Sequence, residues 1–386
     1  MNVFSQPSLI TITCHKRMTP YLVEEIKELG FQIQSSFITG VQLEGTVTDC
    51  IRLNLHLRCA SQVLYQLKKF TARHPDDIYK NVTAYNWENI IPEKAHLSVT
   101  SNVHTATINN NMFASLRVKD AIVDRLRAKR GQRPDTGSAL TGTVIHLFWK
   151  NEDATIFIDT SGDSLSRHGY RKIPGKAPML ESLAAATIFA TGWKGKSPFI
   201  NPMCGSGTLA IEAAMIATNR KPGLFRTNYA FMHLQHYNQE YYFEQDALLE
   251  TQIKDVDDLK IIASDIDENA ITNARKNAIA AGVEKLITFQ VCDYSQTKIP
   301  EESDGVIFFN PEYGERLGDV QALQKTYKEI GDFLKQKCKG YRGYIFTGNI
   351  ALAKKIGLRA NRKIEFYNST IDCRLLEYEL YSGSKR

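Results

Sequence analysis

The sequence predicts an α/β fold with a parallel sheet in its C-terminal half, preceded by α+β structure in its N-terminal half. From about residue 177 onward, short apolar runs alternate with helix-length segments, the order expected of strands joined by crossover helices. One such run, Phe199-Ile200-Asn201-Pro202, passes through Met203-Cys204-Gly205-Ser206-Gly207-Thr208 into an Ala/Ile/Leu helix pattern, which reads as strand, tight turn and helix N-terminus. A third observation concerns the opening residues, whose strand, helix, strand and helix patterns make a small α+β unit.

In the N-terminal half, Ser8–Thr13 alternates as a strand, and Thr19–Gly30 reads as a helix with Thr19 as cap, Pro20 at the first helical position and Gly30 as terminator. A strand is expected from about Ser36 to Leu43 and a helix from about Thr48 to Leu55. Val63–Phe70 is a strand pattern, Asp76–Val82 a capped helix and His96–Thr100 a strand. Ser115–Arg130 is an amphipathic helix: Leu116, Ile122, Val123 and Leu126 fall near helical spacing, and the other face is mostly Lys and Arg. Taken alone, such a charge run is more often a solvated face than a phosphate-contacting surface. Val144–Trp149 and Ala154–Asp159 make two strands around the turn Lys150-Asn151-Glu152-Asp153.

The stretch Arg167–Lys176 is basic, irregular and Gly/Pro-bearing, so a domain boundary is placed there. A helix over Ala177–Ala186, with Pro178 near its start, leads to the strand that carries Asn201. Lys260–Asp265 is a buried strand ending in an acid, and Asp267 is positioned to cap a helix over Glu268–Ala281. Ile287–Cys292 is a third strand, followed by Asp293, and Gly305–Phe309 a fourth, running into Asn310-Pro311-Glu312-Tyr313-Gly314. A helix over about Val320–Cys338 and a strand over Gly343–Thr347 come next. Lys363–Tyr367 and Cys373–Leu380 close the sheet as an antiparallel pair. The segment Arg220–Val256, with Lys221, Phe225, Arg226, Tyr229 and Phe231, is a polar and aromatic insertion that either lines an RNA groove or packs on its own aromatics.

A chain of 386 residues is long enough for two or three domains, each with its own core. Its 43% hydrophobic and 23% charged residues are ordinary for a soluble globular protein. No apolar run approaches the ~20 residues needed to cross a bilayer, and Met1-Asn2-Val3-Phe4-Ser5 lacks the charge and apolar core of a secretion signal. A cytoplasmic location is therefore expected. The cysteines at 14, 50, 59, 204, 292, 338 and 373 are scattered, odd in number and form no C-x-x-C, so reduced thiols are expected. No His cluster has metal-ligand spacing, and no metal is expected. A net charge of +6 permits an anionic partner.

In such a sheet, the turn after the first parallel strand is where ligands bind. Gly205 and Gly207 permit close backbone approach, Ser206 and Thr208 can cap the helix that follows, and the free N–H groups there suit a carboxylate or hydroxyls. The next strands end at the same edge in Asp265, Asp293 and Asn310. An ionised carboxylate after the second strand suits ribose hydroxyls, and an acid after the third can accept from an exocyclic adenine amine. Each acid alone is as readily a helix cap; the ordered set is the specific signal. Cys204 and Cys292 are read as packing residues beside a ligand rather than as nucleophiles.

With these residues in place, the chain resembles the class I S-adenosylmethionine-dependent methyltransferases, and within them the THUMP-containing guanine-N2 RNA methyltransferases. The marks are Arg167-His168-Gly169-Tyr170-Arg171, Ala177-Pro178-Met179-Leu180-Glu181, Asn201 to Thr208, Ser264-Asp265-Ile266-Asp267, and Asn310-Pro311-Glu312-Tyr313-Gly314-Glu315-Arg316-Leu317. The resemblance spans essentially the whole chain. It implies a ferredoxin-like unit over 1–60, a THUMP RNA-binding domain over 61–165 and a Rossmann-like methyltransferase domain over 166–386. By the same resemblance, S-adenosylmethionine is held by Leu180, Glu181, Asn201, Pro202, Cys204, Gly205, Ser206, Gly207, Thr208, Asp265, Ile266, Asp293, Tyr294 and Asn310. The resemblance also implies that Asn310 and Pro311 accept from a guanine N2 amine of 23S rRNA while Tyr313 stacks on the base. The same chemistry on tRNA, or a non-catalytic RNA-binding or assembly protein retaining the cofactor fold, are the alternatives. The family's motif usually reads Asn-Pro-Pro-Tyr. Here Glu312 stands at the third position, which removes a rigid φ and brings a carboxylate near the target base.

Overall fold

A computed structural model describes residues 2–106, 108, 110–175, 178–301, 304–314 and 317–381, with side chains 317–321 excluded. Lys176, Ala177, Glu315 and Arg316 of the motifs above lie outside the described residues, as does the side chain of Leu317. In chain order the elements are β1 (Ser8–Thr13), α1 (Thr19–Glu28), β2 (Ile33–Phe37), β3 (Gly40–Gly45), α2 (Val47–His56), β4 (Gln62–Thr71), α3 (Pro75–Thr83), β5 (His96–His104), α4 (Asn111–Arg130), β6 (Asp135–Thr136), β7 (Thr143–Lys150) and β8 (Asp153–Asp159). There follow α5 (Glu181–Thr191), β9 (Phe199–Pro202), α6 (Thr208–Ala217), α7 (Gln239–Thr251), β10 (Ile261–Asp265), α8 (Glu268–Ala280), β11 (Ile287–Val291), β12 (Val306–Phe309), α9 (Leu317–Lys337), β13 (Arg342–Thr347), α10 (Ile350–Ala353), β14 (Arg362–Asn368) and β15 (Ile371–Glu379). The chain divides into two compact units, one of residues 1–14, 22–165 and 226–248, the other of 15–21, 166–225 and 249–386. No helix among the described residues is long and apolar enough to cross a membrane.

The first unit is built on one eight-stranded sheet, ordered β2-β3-β1-β4-β8-β7-β5-β6, so the two expected N-terminal modules share a continuous sheet through the β1–β4 pairing. The single strand expected over Ser36–Leu43 is instead a hairpin of β2 and β3. Gly40 opens the second strand, where a Cβ would stand 2.2 Å from the Ile12 carbonyl oxygen, so the close approach demands glycine. α2 is capped by Thr46, whose hydroxyl accepts from Asp49 N while Asp49 accepts from Thr46 N, a reciprocal capping box.

The basic face of α4 is largely neutralised within the unit. Arg117 pairs with Asp76, Arg125 with Glu88 at 2.6 Å and Arg127 with Asp124 at 3.1 Å, while Arg130 donates to the Ile91 carbonyl at 2.8 Å. The aromatic residues of the Arg220–Val256 insertion are packed. Tyr229 and Phe231 are buried and stacked, with centroids 5.0 Å apart, and the Arg226 guanidinium lies over Tyr229 at 4.9 Å.

The second unit holds a seven-stranded sheet, ordered β11-β10-β9-β12-β13-β15-β14. The pairs from β11 through β13 are parallel, and β15 runs antiparallel to both β13 and β14. Ile200, Ile307, Phe309 and Ile345 pack with Tyr327, Ile330, Phe333 and Leu334 of α9. α5 and α6 are buried almost all round, through Ala184, Ala185, Ala186, Ala210, Ala213 and Ala214 among others. Small side chains let these helices lie close to one another. α5 starts at Glu181 and not at Ala177: Leu180 is its extended N-cap residue, so Met179 and Leu180 stand outside the helix.

Candidate active site

The parallel order β11-β10-β9-β12 makes the C-terminal ends of four adjacent strands one rim. Asp293, Asp265, the glycine turn and Asn310 follow those strands in that spatial order. This adjacency is what the alternating sequence pattern implied.

The glycine turn is tightly constrained. Met203, Gly205 and Gly207 all have positive φ, at 53°, 54° and 82°. Cys204 N donates to the Ser264 carbonyl at 3.0 Å, and Gly205 N donates to Asp265 Oδ2 at 2.9 Å, tying the turn to β10. The two glycines serve different ends. A Cβ on Gly205 would meet nothing within 4 Å, so this side is open to a ligand. A Cβ on Gly207 would stand 2.8 Å from Ala274 Cβ, so its absence lets the turn pack on α8. The expected caps are not made. Gly207 is the N-cap residue of α6, Ser206 bonds through its carbonyl to Asn277, and the Thr208 hydroxyl accepts from Arg171 at 3.0 Å. Asn201 is buried and donates to the Phe308 carbonyl at 2.9 Å, so it bridges β9 to β12. Pro202 is also buried.

Asp265, Ile266, Asp293 and Tyr294 line one cavity of about 580 Å³, together with Met203 and the side of α9 that carries Glu329 and Phe333. Asp265 Oδ1 accepts from Asp267 N at 3.0 Å, so each of its oxygens holds one backbone donor and keeps a further lone pair. Asp293 uses Oδ1 for the Ser295 amide at 2.9 Å and for the Ser295 hydroxyl. Ile266 is 73% exposed at the rim. Tyr294 stands edge-on to Phe309 and Phe333, and burial pushes its hydroxyl up to about 12, so it is neutral. Asp267 caps α8 through Asn269 N, as its spacing predicted. Gly205 and Asn310 are not among the residues lining this cavity.

Asn310 is half-buried, and its carboxamide oxygen is buried without a hydrogen-bond partner among the described residues. Pro311 is buried and Glu312 is exposed. The loop is anchored from three directions. Buried Tyr327 donates its hydroxyl to the Glu312 carbonyl at 3.2 Å, Asn349 donates to the Tyr313 carbonyl at 3.2 Å, and Asn368 donates to the Tyr313 hydroxyl at 2.8 Å. A Cβ on Gly348 would come within 3.1 Å of the Tyr313 ring and 2.7 Å of Ile371, so that glycine makes room for the tyrosine.

Behind the rim lies a buried polar network that the spacing arguments did not assign. The Arg171 guanidinium donates to the Met179 carbonyl and pairs with Glu181 at 3.3 Å, in addition to Thr208. One arginine thus ties the segment before α5 to the first turns of α5 and α6, and buried Glu181 belongs to this network. His168 Nδ1 and Glu212 Oε1 lie 2.7 Å apart, both side chains fully buried. Asn277 on α8 accepts from the amides of Lys172 and Ile173 at 3.0 Å each and donates to the carbonyls of Ile173 and Ser206 at 2.9 and 3.2 Å. The motif Arg167–Arg171 flagged the first part of this network; nothing flagged Asn277, whose partners lie 71 to 105 positions away.

Burial, reinforced by the neighbouring Asp265 charge, pushes the Cys204 thiol well above the usual range, which removes the thiolate a nucleophile needs. All seven cysteines are free. Among the described residues, no group of three His, Cys, Asp or Glu is placed to hold a metal.

The RMKL-like methyltransferase domain family matches residues 168–377, the RlmL ferredoxin-like domain residues 10–64 and the THUMP domain residues 72–159. The chain is 37% identical over 380 residues to the ribosomal RNA large subunit methyltransferase K/L of Syntrophotalea carbinolica, covering 95% of this chain and 53% of that protein. It therefore spans about half the length of this curated relative. A solved structure described as a methyltransferase complexed with SAH superposes with a TM-score of 0.88 at 27% identity, over 98% of this chain and 100% of that one. Another, from Listeria monocytogenes and described as a predicted N6-adenine-specific DNA methylase, superposes at 0.87 with 29% identity, over 97% of each chain. With its four-strand rim, its open glycine turn and a family match over more than half its length, the chain belongs to the RMKL-like methyltransferase family.

Proposed function

We propose that the chain is an S-adenosylmethionine-dependent methyltransferase that modifies the exocyclic N2 amine of a guanine in large-subunit ribosomal RNA. The observation that carries this reading is the Asn310 carboxamide oxygen, a buried acceptor without a partner among the described residues, next to Pro311 on the rim that also carries Asp265 and Asp293. Leaving such an acceptor unsatisfied costs about 1–3 kcal/mol, which a substrate N–H would recover.

The residues present fit the cofactor. Asp265 and Asp293 keep acceptor capacity, exposed Ile266 offers an apolar face, Gly205 leaves its surroundings open, and a cavity of about 580 Å³ falls in the range of small-molecule sites. Asp265 would hold the ribose, Asp293, Ile266 and Tyr294 the adenine, and the turn from Cys204 to Thr208 the methionine end, with Leu180, Glu181, Asn201 and Pro202 around it. When bound, the cofactor supplies an electrophilic methyl group. The Asn310 oxygen and the Pro311 carbonyl accept from the amine's two N–H bonds. This localises on nitrogen a lone pair otherwise delocalised into the ring, and it aims that pair. Tyr313 offers a ring face for the base, worth roughly 1–3 kcal/mol by comparison with other base–aromatic platforms. A base paired in a duplex would be flipped out to reach the loop.

RNA binding falls to residues 1–60 and 61–165 and catalysis to 166–386. The curated relative's name supports ribosomal RNA as the substrate, which puts the enzyme's work in the cytoplasm. Nucleoside mass spectrometry of rRNA and tRNA from a strain lacking the gene tests this. Loss of N2-methylguanosine from large-subunit rRNA is expected. Its loss from tRNA alone would move the substrate to tRNA, and unchanged levels in both pools would overturn the proposal.

A further inference from the structure

We propose that the Glu312 carboxylate reads the ring N1–H of the target base and thereby selects guanine among the amine-bearing bases; this rests on the amine-methylating reading of the Asn310 loop. Glu312 is exposed, and its carboxylate has no ion pair or hydrogen bond among the described residues. The backbone that carries it is held in place. The Tyr327 hydroxyl holds its own carbonyl at 3.2 Å, and the Asn349 amide holds the next carbonyl at 3.2 Å. Glu312 follows the Asn310-Pro311 pair directly, two residues from Asn310, whose buried oxygen has no hydrogen-bond partner among the described residues.

The chemistry of the bases does the rest. Guanine presents its N2 amine and its N1–H side by side, both donors. Adenine sets an N1 lone pair beside its N6 amine, and cytosine an N3 lone pair beside its N4 amine. An ionised carboxylate only accepts, so it bonds guanine's ring N–H and repels the lone pair of the other two. Proline, the usual family residue at this position, has no side-chain acceptor. The inference bears directly on the base, since one structural relative is described as adenine-specific and the curated relative as a ribosomal RNA enzyme.

The test uses the full chain with transcribed large-subunit rRNA and nucleoside analysis of the product. It is followed by a fragment spanning the modified nucleotide, made with guanine or with 2-aminopurine at that position. 2-Aminopurine keeps the amine but carries a lone pair at N1. The unaltered chain is expected to make N2-methylguanosine and to prefer guanine to 2-aminopurine by roughly 10–100-fold in kcat/KM. Glu312→Gln, whose amide can donate as well as accept, is expected to erase most of that preference while binding S-adenosylmethionine as tightly as before. Unchanged discrimination in Glu312→Gln, with N2-methylguanosine still formed, would overturn the role of Glu312 and leave the amine chemistry standing. Formation of N6-methyladenosine by the unaltered chain would overturn the guanine reading and this inference with it.

Discussion

Asn310 combines a sequence signature with an unmet chemical need, so its replacement is the sharpest single-residue test. Asn310→Ala removes one of the two acceptors proposed to face the amine, and Asn310 is not among the residues lining the cavity of Asp265 and Asp293. Methyl transfer is expected to fall by about 10²–10³-fold, the loss typical of deleting one preorganised polar contact to a transition state. Cofactor affinity by calorimetry should stay within a few-fold. Full residual turnover would remove Asn310 from the mechanism. At this scale the sequence was informative about where a residue sits when it ends a strand, as for Asp265, Asp293 and Asn310. It was uninformative where the role depends on a distant partner. Ser206 and Thr208 look like caps by spacing, yet Thr208 is taken by Arg171, 37 positions away. Asn277 looks like an ordinary helix residue, yet it makes four hydrogen bonds to Lys172, Ile173 and the glycine turn.

The elements were legible wherever period and punctuation agreed, and they failed where a tight turn carries no strong turn residues. The β2–β3 hairpin was read as one strand because Ile38-Thr39 does not look like a turn; the requirement at Gly40 comes from the neighbouring β1 backbone. The end of β8 gives an element-scale prediction. Asp159 is fully buried there, accepts from the amides of Ser161 and Gly162 at 2.9 and 3.2 Å and from Gln62 at 2.6 Å, and burial pushes its carboxyl up to about 6. An unfolded aspartate titrates near 3.9. Between those values the folded state binds more protons than the unfolded state, so this group costs stability as pH rises through the window, and the cost persists above pH 6. Asp159→Asn keeps the shape and the acceptor for the two amides. Its melting temperature relative to the unaltered chain should therefore improve between pH 4.5 and pH 7, by on the order of 2 kcal/mol of stability. A difference that does not change with pH would show that this carboxyl does not titrate as described.

Across the whole molecule, the parallel C-terminal sheet was readable because each strand–helix repeat is local, whereas the joining of β1 to β4 in one eight-stranded sheet is a pairing across more than fifty residues that no local pattern encodes. Charge follows the same division. The sequence displays 48 Lys and Arg against 42 Asp and Glu, and the basic face of the helix over Ser115–Arg130 left a solvated face and a phosphate-contacting surface both open. The fold uses many of those cations internally: Arg117, Arg125 and Arg127 on α4, and Arg275, Arg362 and Arg374 in the second unit, all pair with carboxylates. These paired arginines are less available to displace counterions from RNA, so affinity is expected to draw more on stacking and hydrogen bonding than on phosphate contact at α4. Each neutralised phosphate of a single strand contributes about −0.7 to the slope of log K against log salt concentration. For binding of unmodified large-subunit rRNA fragments to the full chain, a slope no steeper than about −4 is expected, the value for roughly six phosphates. Arg125→Gln should lower the melting temperature and leave that slope unchanged, because its guanidinium already serves Glu88. A slope near −8, or one that Arg125→Gln makes shallower by about 0.7, would show that the paired arginines release their partners to the nucleic acid and that α4 is a phosphate-binding face after all.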